Sequence, residues 1–131
     1  MLILTAYKSV LQGDAGISAK LKGGIHINTV EQGALKPNIL LRLSGSGQDY
    51  SHQGPTAIMD AGIIVECRAD KDETAGLLGE AVLDLLQSWT GTVFKCWVQL
   101  TTHENSQSEY DDAAKVHIYR HEFTSFYRKV P

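Results

Sequence analysis

Ser44, Ser46 and Ser51 lie close to His52 in the run Gly45-Ser46-Gly47-Gln48-Asp49-Tyr50-Ser51-His52-Gln53-Gly54, the first place to seek a nucleophile and its base. A hydrolytic serine of that kind needs a strained Gly-x-Ser-x-Gly elbow to lift its hydroxyl, and none accompanies these residues. Gly45-Ser46-Gly47 also suggests a phosphate cradle. Tyr50, however, occupies the place of the third glycine of a dinucleotide fingerprint, and no Gly-Lys-Ser or Gly-Lys-Thr occurs. The run reads as a hairpin loop.

Metal chemistry finds no better footing. His117 and His121 share a face of an expected strand, yet at four residues' separation they stand about 13 Å apart, too far to bind one ion. His26, His52 and His103 are scattered. Glu104, Glu109, Asp111 and Asp112 gather negative charge without the glycine-containing calcium-loop pattern. Cys67 and Cys96 each sit in an apolar strand pattern without Cys-x-x-Cys spacing. They read as reduced core thiols, with a disulfide open if the two face each other across a sheet. The residues point to no catalytic group, no cofactor and no metal.

The elements that position these residues follow from periodicity. Leu2, Ile3, Ala6, Val10 and Leu11 repeat at helical spacing and Gly13 supplies a stop, predicting a short first helix. Asp14 caps a second brief turn through Ile17, Ala19 and Leu21 that Gly23-Gly24 breaks. Residues 25–36 read as extended or irregular, with Ile25 and Ile27 offering at most an edge strand. Pro37 leads into a strand whose Ile39, Leu41 and Leu43 share one face.

After the polar loop, Ile63, Val65 and Cys67 alternate with Ile64, Glu66 and Arg68, and Gly62 marks a possible bulge. Asp70 and Glu73 have the spacing of a capping box. Leu78, Ala81, Val82, Leu85, Leu86 and Trp89 then form one apolar stripe, ended by Gly91. A third strand covers 93–100 and a fourth 116–126, joined by an acidic loop at 103–112. The expected fold is α+β: a single domain over 1–131, a mainly antiparallel four-stranded sheet, one long helix at about 71–90 and a short N-terminal helix packed on it.

The chain has 131 residues, 43% hydrophobic and 21% charged, the balance of one soluble domain with its own core. A net charge of −3 with scattered Lys and Arg supplies no basic field for nucleic acid. The first residues lack a signal-peptide pattern, and no apolar run reaches the roughly 20 residues of a spanning helix. An intracellular product without a membrane anchor is expected.

The order of these signals resembles the tail-completion, or tail-terminator, proteins of long-tailed bacteriophages and related prophages. The carriers are Leu21-Lys22-Gly23-Gly24-Ile25, Gln32-Gly33-Ala34-Leu35-Lys36-Pro37, Tyr50-Ser51-His52-Gln53-Gly54-Pro55 and Glu66-Cys67-Arg68-Ala69-Asp70. The following helix and a final strand with Arg120, Phe123, Phe126 and Tyr127 complete the pattern. The short first helix departs from it.

The resemblance implies a non-enzymatic structural protein of the virion tail, assembled in the host cytoplasm as a homo-oligomeric, commonly hexameric ring. Such a ring caps the finished tail tube protein, meets the head-neck connector protein, and lets DNA pass without specific binding. On that footing Gly45 to Gly54 form an assembly loop toward tube or neck. Glu104, Glu109, Asp111 and Asp112 face the lumen or a neighbouring subunit. A head-closure or connector component, and a small hydrolase using Ser46 and His52, are the competing readings.

Overall fold

A computed structural model of the protein describes residues 2–31, 33–45 and 58–130. Among them the chain forms helices α1 (Leu2–Gln12) and α2 (Ala15–Lys20), strands β1 (Ile25–Ile27), β2 (Asn38–Gly45) and β3 (Met59–Ala69), and helix α3 (Asp72–Leu86). Strands β4 (Gly91–Val93), β5 (Cys96–Asp111) and β6 (Val116–Lys129) complete it. One sheet runs in the order β1-β2-β3-β6-β5-β4. Its neighbours are antiparallel except β1 and β2, which pair in parallel with Ile25 opposite Ile39.

This corrects the expected four-stranded, mainly antiparallel sheet with a single long helix. The sheet is six-stranded and mixed, and three helices accompany it among the described residues. The two added strands have three residues each, so their own alternation cannot identify them, and pairing to β2 and β5 defines them instead. The expected loop at 103–112 is mostly strand. Its residues are polar because they stand at the margin of the sheet, while register with β6 from Thr102↔Thr124 to Asp111↔Val116 keeps the backbone extended.

The helix bounds also differ. α3 begins with Lys71 as its N-cap and no side-chain cap bond. Asp70, expected to cap it, instead accepts from Lys36 Nζ at 3.3 Å. Gln87 leaves the helical region after Leu86, well before Gly91, which opens β4. Asp14 does cap α2, its Oδ1 accepting from the Ile17 amide at 3.0 Å.

The core lies between the helices and one face of the sheet. Ile3, Leu4, Tyr7 and Leu11 of α1 and Leu78, Val82 and Leu86 of α3 meet Ile39, Leu41, Ile63, Val65, Val98 and Phe123. Each large aliphatic buried there stabilises the fold by about 1.5–3 kcal/mol at most. Gly79 sets how closely α3 approaches, since a Cβ there would stand 2.8 Å from Tyr119 Cγ.

Cys67 and Cys96 are both free and buried. Cys67 aligns with Tyr119 and Cys96 with Lys129, positions about 33 Å apart along β6. A disulfide between them is geometrically excluded.

Candidate functional site

The sheet has two chemically different faces because β3 and β6 alternate. Ile63, Val65, Cys67, His121, Phe123 and Ser125 turn to the helices and are buried. Glu66, Arg68, Arg120 and Arg128 turn the other way.

On that second face Glu66 is the centre. It is 4% exposed, although a buried carboxylate persists only when its charge is met. Register sets Arg120 directly across from it on β6, with Nε and Nη2 at 3.3 and 3.1 Å from Oε2. Arg42 from β2 reaches the same oxygen, and Arg68 Nη1 lies 3.5 Å from Oε1. Arg120 is also paired with Glu109 of β5. Three guanidiniums therefore meet two carboxylates, and the cluster ties β2, β3, β6 and β5 together.

Beside it a small cavity of about 160 Å³ is lined by Arg42, Ile64, Asn105, Gln107, Arg120 and Glu122. Farther along the same face Arg128 stands over the Trp97 ring at 5.6 Å. Trp97, Leu100 and Phe94, at the β4 end of the sheet, are 46%, 41% and 52% exposed. Phe94 and Lys95 form the two-residue turn between β4 and β5 with φ of 48° and 60°.

Under α3 lies a second polar group. His121 is wholly buried, and its Nε2–H donates to the Gly79 carbonyl at 2.8 Å. That bond makes Nδ1 the acceptor for the Ser106 hydroxyl at 2.8 Å, and Ser106 Oγ in turn accepts from His103 Nε2 at 2.8 Å. Burial lowers the His121 pKa, countered by the Gly79 carbonyl and reinforced by His103. With its Nε2–H on a backbone carbonyl rather than a carboxylate, His121 lacks the partner that makes a triad histidine a strong base toward a serine. The arrangement mainly satisfies buried polar groups.

A third network pins α1. The Tyr7 hydroxyl donates to Ser125 Oγ at 2.8 Å, which leaves Thr101 Oγ1 as the donor to it at 2.6 Å.

Of the residues singled out in the sequence, Gly45 closes β2, and Ser46 to Gly54 lie outside the described residues. Glu104, Glu109 and Asp111 stand in β5 and only Asp112 in the turn. Thr102 Oγ1 donates to Glu104 at 2.6 Å, Asp111 Oδ1 accepts from the Ala114 amide at 3.1 Å, and Asp112 faces Lys115 at 3.2 Å. These four side chains do not converge on one point. His117 packs at a tilt against Tyr110, with ring centroids 4.6 Å apart and planes 49° from parallel. Sequence reasoning missed the Glu66 cluster and the Ser106 link. The alternation in β3 and β6 carried their faces, but no local signal carried their register.

No protein-family model matches the chain, and no curated protein matches it. Among solved structures it superposes on a chain of "Virion of native gene transfer agent (GTA) particle" with a TM-score of 0.75. The identity is 15%, and the match covers 97% of this chain and 95% of that chain. The protein thus shares, over nearly its whole length, the fold of a chain from a gene transfer agent virion.

Proposed function

We propose that the protein is a non-enzymatic structural component of a phage-like virion, capping the finished tail tube as a homo-oligomeric ring. The observation that carries this reading is the end-to-end fold match to a gene transfer agent virion chain. The ordered motifs that resemble tail-terminator proteins refine it to the tail. Its partners are then further copies of itself, six in the family's common ring, the tail tube protein and the neck connector.

The surface is consistent with that role. Phe94, Trp97 and Leu100 leave apolar area uncovered near one end of the sheet, and such patches commonly mark contacts. Residues 45–54 are assigned to tube or neck. Glu104, Glu109, Asp111 and Asp112 are assigned to the lumen or a neighbouring subunit, where negative charge would let DNA pass unbound.

Deletion of residues 45–54 tests the assignment. The expected result is a folded chain that no longer caps tails, seen as overlong or headless tails in negative stain. Normal, head-joined tails made with the deletion would overturn it. A head-closure role would instead show the protein co-purifying with connectors in the absence of tail tubes. Loss of a hydrolytic activity in Ser46→Ala or His52→Ala with assembly intact would favour an enzyme.

A further inference from the structure

Among the described residues the sheet ends in two open margins. β4 covers β5 from Cys96 to Val98 only, and the Ser88 amide takes the Thr101 carbonyl at 2.9 Å. From His103 to Asp111 no described strand lies beyond β5, and Glu104, Asn105 and Gln107 to Asp111 are exposed. At the opposite margin β1 is the last strand. The flanking Gly24 carbonyl and Asn28 amide bond β2, and successive residues of a strand turn their backbone groups to opposite sides. The Ile25 N–H and C=O and the Ile27 N–H therefore turn away from β2, while the Ile27 carbonyl is taken by the Thr29 amide.

The two margins match in height, direction and charge. Register carries one ladder from Ile27 through Leu41, Val65 and His121 to Ser106, so β1 stands level with the open part of β5. β4 pairs toward the other end, at the level of Tyr127, beyond the last β2–β3 pair of Gly45 and Gly62. β1 of one copy can thus reach β5 of the next without meeting β4. The two strands run in opposite directions, so copies set side by side in one orientation bring them together antiparallel. Beside β1, Lys20, Lys22, Lys36 and Lys71 line a cavity of about 420 Å³ whose one carboxylate, Asp70, is held by Lys36. At the tip of β5, Lys115 faces Asp112, and no cation pairs with Asp111 among the described residues. Ile25 is level with Ser108, and Lys22 precedes the one by as many residues as Asp111 follows the other, so the unlike charges stand at one end of the sheet.

We propose that copies of this chain join edge to edge, the open margin of β5 in one adding as a strand to β1 of the next, with Asp111 and Asp112 toward that copy's lysines. Two unlike margins make the contact heterologous, the kind that closes into a ring when the rotation between copies allows it. A strand polar on both faces specifies its register weakly, so the charges select the partner. The pairing rests on the ring reading, and it assigns the acidic end of β5 to a neighbouring subunit rather than to the lumen.

The test is sedimentation of the full chain in low salt at subunit concentrations up to about 1 mM, where the wild type should associate with a Kd of about 0.1 mM or tighter. Asp111→Lys with Asp112→Lys makes the β5 margin basic like β1, and Lys20→Glu with Lys22→Glu makes the β1 margin acidic like β5; all four positions are exposed. Each variant alone should associate at least about tenfold more weakly, whereas an equimolar mixture, in which unlike margins meet again, should recover the wild-type association. Amide hydrogen exchange of the wild type gives a reading that needs no substitution: on association, residues 103–111 and β1 should exchange at least about tenfold more slowly. A wild type that stays monomeric, association that survives in either variant, a mixture that stays dissociated, or slowing confined to other segments would each overturn the pairing. Tail capping is judged separately, on tails made with the 45–54 deletion, so the two readings can fail independently.

Discussion

Arg42, Arg68 and Arg120 converge on the two oxygens of Glu66 inside the sheet, and replacing its carboxylate should show how much they depend on it. Glu66→Gln leaves three guanidiniums close together without the carboxylate they share, with Glu109 still paired to Arg120. Breaking a buried ion pair costs about 3–5 kcal/mol, and the partial exposure of the arginines argues for a loss of about 3 kcal/mol in urea unfolding. A loss below about 0.5 kcal/mol, the usual effect of a surface substitution, would contradict a structural role for the cluster. His121 offers a second residue-scale prediction. Its pKa is lowered below 6.5 by burial, so the unfolded chain binds the proton more readily. The stability this contributes is full above pH 6.5 and declines as pH falls toward the lowered value. Glu80 on α3 moderates the shift and His103 on β5 deepens it. His121→Gln should remove this part of the acid sensitivity, as read from unfolding midpoints between pH 7 and pH 5. An unchanged pH slope would show that other groups set it.

At the scale of elements, the β4–β5 hairpin carries strain that its sequence does not need for folding. Two-residue hairpins favour Asn-Gly because both central residues take positive φ, whereas this chain places Phe94 and Lys95 there. Phe94→Asn with Lys95→Gly should stabilise the isolated protein by about 1 kcal/mol. If the exposed Phe94 ring serves a contact in the virion, the same change should weaken assembly, and a variant that gains stability with assembly intact would remove that role. Gly79→Ala tests the α3 contact from the other direction. Overpacking against Tyr119 costs about 1–3 kcal/mol, offset by about 1 kcal/mol of helix propensity, so a modest net loss is expected on thermal unfolding. The same elements show what the sequence discloses. α3 was legible because Leu78, Val82 and Leu86 repeat on one buried stripe, and the faces of β3 because Val65 and Cys67 alternate with Glu66. β5 was not, since Ser106, Gln107 and Ser108 have loop composition and owe their extended form to β6. Glu66 and Arg120 were both visible as residues, but their pairing depends on a register 54 positions apart in sequence.

For the whole molecule, the decisive long-range tie is Tyr7, whose hydroxyl joins α1 to residues 94 and 118 positions away. Its ring also meets Trp89 edge-on at 5.8 Å, so the N-terminal helix closes over the segment that leaves α3. A helix of eleven residues is marginal alone in water, so α1 must draw its order from this docking. Tyr7→Phe keeps the ring in place and removes one hydroxyl from a chain of three, leaving Thr101 and Ser125 to find each other. The expected cost is about 1–2 kcal/mol, or roughly 3–8 °C in Tm for a domain of this size. If α1 is an integral part of the core, the shifted transition stays single, with far-ultraviolet and near-ultraviolet circular dichroism changing together. An early far-ultraviolet step, in which helix is lost before aromatic packing, would instead show α1 as a separable arm. That result would place the N-terminal departure from the tail-terminator pattern outside the folding unit and move any assembly role it has to the docked and undocked states of the helix.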